Sequence, residues 1–174
     1  DQILALDPTE ENPVWRKSEV ALPLGCAYGV SVSLPDGSGL WIGGAEPNGH
    51  LDQVLHLESI DGSLRITQLD PLPFPLAYAS GTMVGDVIYL YGGQEAASGP
   101  ASNKLLSLAV EDLDSEWIER DSIPGERGRI LATAGSHGGS LYVFGGCHLQ
   151  KMAADTENEI RFRRDYLREA WRYE

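Results

Sequence analysis

The octapeptide GSLYVFGG, from Gly139 to Gly146, decides how this chain is read, because two blurred copies precede it. SGLWIGG runs from Ser38 to Gly44 and DVIYLYGG from Asp86 to Gly93. In each, a short apolar run rich in aromatic and β-branched residues ends on a glycine pair, the composition of a β-strand. A strand of smaller residues lies before each (AYGVSVSL, AYASGTMV, ILATAGSH), joined through PDGSG, GD or GG turns. Every copy therefore opens with a hairpin. Downstream come a polar loop, a third strand (QVLHLES, KLLSLAV, EAWRYE) and, in two copies, a fourth (SLRITQL, EWIERD).

Gly43, Gly92 and Gly145 open the three glycine pairs and stand 49 and 53 residues apart. A repeat of that length holding four antiparallel strands is one blade of a β-propeller. Small residues in the first strand suit the crowded axis, and a glycine pair suits a tight backbone path away from it. The expected fold is all-β, with about three four-stranded blades. Residues 1–22 give the outer strands of an incomplete blade, 23–72 and 73–123 give two blades, and 124–174 give one lacking its last strand. Closed propellers use about four to eight blades, so the chain reads as part of a ring, completed by further sequence or by a second chain.

At 174 residues the chain is long enough to bury a core. Its 13 basic and 26 acidic residues give a formal net charge of −13, which opposes attraction to nucleic acid or anionic lipid. No apolar run reaches the length of a membrane span, so the chain reads as soluble, with no membrane partner. It opens on Asp1, not methionine, as a processed or trimmed product does. Cys26 and Cys147 are too few for a disulfide framework and lack a metal-binding spacing, and no phosphate-cradling glycine motif is present. No metal site and no cofactor are expected.

The glycine pair, the strand before it and a following tryptophan, as in Gly92-Gly93 and Trp117, resemble Kelch-type β-propellers. A narrower resemblance lies in AYGVSVSLPDGSGLWIGG followed by Asp52 and Val54, and in IPGERGRILATAGSHGGSLYVFGG. These are similar to the last and second blades of bacterial N-acetylneuraminate epimerases, the sialic acid mutarotases. Their order here resembles the cyclically permuted subgroup. The resemblance implies a six-bladed Kelch ring, of which this is half, that interconverts the α and β anomers of N-acetylneuraminic acid without a cofactor. It also implies a sialic acid or related sugar as partner and a periplasmic or secreted location. The alternative from another class is a Kelch propeller that binds a protein or glycan without chemistry.

Antiparallel geometry puts the starts of the inner strands and the loops after the glycine pairs at one mouth of the channel. Cys26, Tyr28, Tyr78, Arg127 and Arg129 are expected there from the strand starts; Glu46, Asn48, Gln94, Glu95, Cys147 and His148 are expected from the loops. The substrate-binding candidates are Arg129, Arg127 and Tyr28. The resemblance places an arginine at Arg129, where a guanidinium would capture a sugar carboxylate; Tyr28 would offer a phenolic hydroxyl. The family often has arginine where Cys26 stands. Glu46 is a weak candidate base, the family's own base belonging to a blade outside this chain. His56 and His137 read as structural or surface residues, and His50 and His148 as mouth-loop residues outside any ligand motif. Near the end of the chain, Ile160, Arg163, Arg164 and Leu167 share a helical spacing that predicts a short helix over the mouth.

Overall fold

A computed structural model describes residues 2–125, 127–152 and 161–174. Among them every regular element is a strand. β1 (Gln2–Ala5) pairs with β2 (Arg16–Ala21). The first full sheet starts with β3 (Val30–Ser33) and β4 (Gly39–Ile42), passes through a small loop hairpin, β5 (Ala45–Glu46) and β6 (Gly49–His50), and returns as β7 (Val54–Ile60) and β8 (Ser63–Leu69). The second is β9 (Ala77–Val84), β10 (Val87–Gln94), β11 (Leu105–Ala109) and β12 (Ile118–Arg120). In the third, β13 (Thr133–His137) and β14 (Ser140–Phe144) are followed by the hairpin β15 (Cys147–Met152) and β16 (Arg161–Tyr166), then by β17 (Ala170–Tyr173). Neighbours in each sheet are antiparallel and follow chain order from the inner edge outward.

Among the described residues the helix expected near the end of the chain is not found. Arg161–Tyr166 is the strand β16, paired residue for residue with β15 from Cys147↔Tyr166 to Met152↔Arg161. Leu167 follows it outside regular structure, and Ile160 lies outside the described residues. The buried, apolar Cys147 and Leu149 alternate with His148 and Gln150 at a period of two. That alternation on the partner strand gives the segment a ladder, which the helical spacing of a few charged residues does not offset.

The inner strand β9 packs between β3 and β13, so the sheets radiate from a common axis as blades do. The middle sheet is covered on both faces, which explains its nearly continuous apolar strands. Ile88, Leu90, Leu106 and Leu108 point to the first sheet, where they join Leu40, Ile42 and Val54 in one core. The alternate residues Tyr91 and Leu105 join Leu141 and Val143 of the third sheet in another.

Backbone hydrogen bonds that recur from seam to seam tie neighbouring sheets at the hub. Gly44 N–H donates to Leu76 C=O (2.8 Å) and Gly93 N–H to Arg129 C=O (2.9 Å). Nearer the axis, Tyr78 N–H donates to Tyr28 C=O and Leu131 N–H to Tyr78 C=O, both at 2.9 Å. Here the glycine pairs acquire their reason. Gly43 and Gly92 have φ of 63° and 72°, and a Cβ on either would be driven into the carbonyl oxygen of Leu76 or Arg129.

Gly92→Ala is therefore expected to lower stability by about 2–4 kcal/mol, since the added methyl meets fixed backbone at a left-handed φ. Gly135→Ala, with open space around it, should stay within about 1 kcal/mol of the parent. Urea unfolding midpoints compare the two.

Candidate functional site

Three residues stand at equivalent positions where the inner strands begin: Tyr28, Tyr78 and Leu131, 15 or 16 residues before the second glycine of each pair. All three have left-handed backbone, with φ of 62°, 61° and 56°. For a side chain bearing a Cβ this costs about 1–2 kcal/mol per residue, and bulky residues there are genuine outliers. Glycine would take the same path at no cost. The surrounding hydrogen bonds hold the conformation, and it turns each side chain out of its strand toward the mouth. Tyr28 is 58% and Leu131 50% exposed, while Tyr78 is half-buried.

The tyrosines meet. The Tyr28 and Tyr78 rings lie 4.5 Å apart between centroids, tilted by 33°. His50, on the loop strand β6, presents its ring edge-on to Tyr78 at 5.8 Å. His50 Nδ1 is 3.0 Å from Gln94 C=O, and a carbonyl only accepts, so Nδ1 carries the hydrogen. In the neutral ring Nε2 is then an open acceptor. Two phenols and an imidazole with a free lone pair thus share the mouth, where they can stack on a sugar ring and exchange protons with hydroxyls.

Several of the other expected mouth residues have structural partners. Gln94 is 5% exposed and its Nε2 donates to Gly99 C=O at 2.7 Å, closing its own loop. Glu95 pairs with Lys104 at 2.9 Å. His148 Nδ1 donates to Gly128 C=O at 3.0 Å, and Cys147 is buried in the ladder, where burial pushes its thiol pKa up. Cys26 and Glu46 are half-buried, and Asn48 is exposed in the turn between β5 and β6. His56 bonds Ser38 Oγ at 2.8 Å, a structural role; His137 is exposed at the end of β13.

Arg129 is placed differently from its expected position in the channel. It is 4% exposed, and its Nη1 donates to Gly145 C=O at 2.8 Å across the third sheet. Its carbonyl receives the hub hydrogen bond while its side chain turns into the seam between the second and third sheets. In the preceding seam the same position is Leu76, a core residue. Beside Arg129 the buried Tyr91 phenol has its pKa raised by burial, an effect the guanidinium opposes. Neither Tyr91 Oη nor Arg129 Nε makes an aligned hydrogen bond.

Arg127 is exposed and pairs with Asp165 at 3.1 Å. Both arginines line a cleft of about 350 Å³ with Ile123, Leu167, Glu169 and Trp171. The linker into the second sheet sets Phe74 under the Lys104 ammonium, 4.0 Å from ring centroid to nitrogen. Two residues before the hub residue, where the linker into the second sheet has Phe74, the linker into the third has Arg127, exposed at the cleft.

Sequence reasoning put Tyr78 and His50 at the mouth without assigning them a role, and passed over Leu131. Their shared offset from the second glycine was the available signal. No cluster of three or more potential metal ligands stands together among the described residues.

No family model matches the chain. A Kelch domain-containing protein of Pyrococcus furiosus is 31% identical over 109 residues, covering 62% of this chain and 31% of that protein. The solved structure of YjhT matches with a TM-score of 0.59 at 19% identity, over 72% of this chain and 36% of that one. The chain thus spans about a third of the length of the relatives it matches. The fold is a Kelch-type β-propeller, in which this chain supplies successive blades.

Two stability measurements separate hub from seam. Tyr28→Gly should shift unfolding free energy by less than about 1 kcal/mol, because relief of the left-handed backbone offsets the lost ring contact. Arg129→Ala should cost about 2–4 kcal/mol, since it strands buried polar groups. The double variant Arg129→Leu with Tyr91→Phe, which copies the apolar seam, should cost less than that single change.

Proposed function

We propose that the mouth of this propeller binds a sugar acid and interconverts its anomers, with N-acetylneuraminic acid as substrate. The observation that carries the reading is the set of left-handed side chains: backbone cost is borne at the hub and sets the tyrosine rings out at the mouth, where strain of this kind accompanies function. The blade motifs that resemble the sialic acid mutarotases supply the choice of substrate.

Anomer exchange requires a base to take the proton of the anomeric hydroxyl while an acid protonates the ring oxygen. The bond from ring oxygen to anomeric carbon breaks, leaving an open-chain ketone, and closure on the other face reverses both transfers. Each positioned transfer contributes about 10² to 10⁴ in rate. His50 Nε2 would act as the base, and the phenol of Tyr78, whose ring centroid lies 5.8 Å from the imidazole, would act as the acid. Tyr28 offers its ring to the apolar face of the sugar. Glu46, half-buried on β5, adds a carboxylate on the same loop hairpin as His50.

One observation favours a second reading, in which the mouth binds a glycan without chemistry: Arg129, the expected carboxylate ligand, is committed to the seam. Saturation-transfer NMR on N-acetylneuraminic acid separates the two. The mutarotase reading expects faster exchange between anomers when protein is added, reduced at least about tenfold by His50→Ala or Tyr78→Phe. Ligand broadening with an unchanged exchange rate would leave the binding reading standing.

A further inference from the structure

The hairpin β15–β16 brings to the mouth a cation that no described residue neutralises. Its directly opposed pairs include Cys147↔Tyr166, Leu149↔Arg164 and Lys151↔Phe162, and opposed residues of an antiparallel pair share a face. On this face Leu149, 7% exposed, forms a small core with Ala101, Ile130 and Cys147, against which Phe162 and Tyr78 pack. The face therefore leans toward the mouth. The opposite face is occupied: His148 bonds Gly128 C=O, Arg163 donates to Gln150 Oε1 at 2.6 Å, and Asp165 holds Arg127.

Arg164 is on the mouth-side face and exposed. It stands close enough to Cys147 for its charge to oppose the upward push that burial gives the thiol. Among the described residues it has neither a hydrogen bond nor a carboxylate partner. Lys151, on the same face, adds a second positive charge. In a chain of net charge −13, an arginine with no carboxylate partner among the described residues gives this face of the hairpin a local charge of the opposite sign. Its planar fork fits a carboxylate.

We propose that Arg164 holds the carboxylate of the sugar acid at the mouth, the task that Arg129 does not perform. The proposal rests on the reading of the mouth as a sugar-acid site. The ring lies over Tyr28 and Tyr78, and the carboxylate reaches up to the hairpin.

The test titrates the full chain, by ligand NMR, with N-acetylneuraminic acid and with its neutral methyl ester, and measures anomer exchange separately. The parent is expected to prefer the acid. Arg164→Gln should weaken acid binding about tenfold or more, leave ester binding unchanged and remove most of the salt dependence; Arg164→Lys should restore part of the preference. Unchanged ester binding shows that the variant is folded. Equal acid binding by Arg164→Gln and the parent would overturn the role of Arg164 while leaving the mutarotase reading intact. A parent that does not distinguish acid from ester would overturn it as well. Loss of the acid preference without catalysed exchange would support Arg164 and sink the mutarotase reading alone.

Discussion

Recurrent backbone hydrogen bonds between neighbouring sheets determine where everything else in the chain lies. In each seam the second glycine of one sheet donates to the residue that starts the next inner strand, and the residue two positions further on donates back to its counterpart in the preceding sheet. Breaking these bonds would leave backbone donors and acceptors at the seam to find other partners, which makes the arrangement costly to change. The sheets must therefore meet at a fixed height and angle. The glycine pairs recur because only a residue without Cβ lets a carbonyl from the neighbouring sheet come so close.

The same bonds position the mouth. Tyr28 accepts a hub hydrogen bond, Tyr78 both donates and accepts one and Leu131 donates one, which leaves these residues little choice of backbone angle. Their φ values near 60° turn the side chains away from the sheets. Outside this ring stand loops of increasing length. The short β5–β6 hairpin brings His50 to the tyrosines, and the long β15–β16 hairpin packs through Leu149 and Phe162 beside Tyr78. Rigid scaffold and variable loops meet where ligands are expected.

Much of the fold was legible in the sequence because its signals are redundant. LWI, VIYLY and LYVF have strand composition, the turns before them are rich in glycine, and the spacing of the glycine pairs gives the size of the repeat. The site was only partly legible. Nothing in the residue type of tyrosine or leucine signals left-handed backbone; only their common offset from the glycine pair does. Arg129 was placed at the right end of its strand but on the wrong side. A shift of one position at a strand start exchanges channel for seam, and composition does not report that choice. The segment after Gly146 carries both a helical spacing of charges and a strand alternation at Cys147 and Leu149, and pairing with its own return strand decided the outcome.

The two seams are not interchangeable. Between the first and second sheets the position beneath the hub is Leu76 against Ile42, wholly apolar; between the second and third it is Arg129 beside Tyr91. A blade offering leucine to the Tyr91 face would strand a phenol in hydrocarbon, and one offering arginine to the Ile42 face would bury a cation against hydrocarbon with only its own sheet's Gly145 carbonyl as partner. Near-identical modules strung on one polypeptide are prone to docking out of turn. This pair of mismatched contacts works as an address label, recording in side-chain chemistry which module follows which.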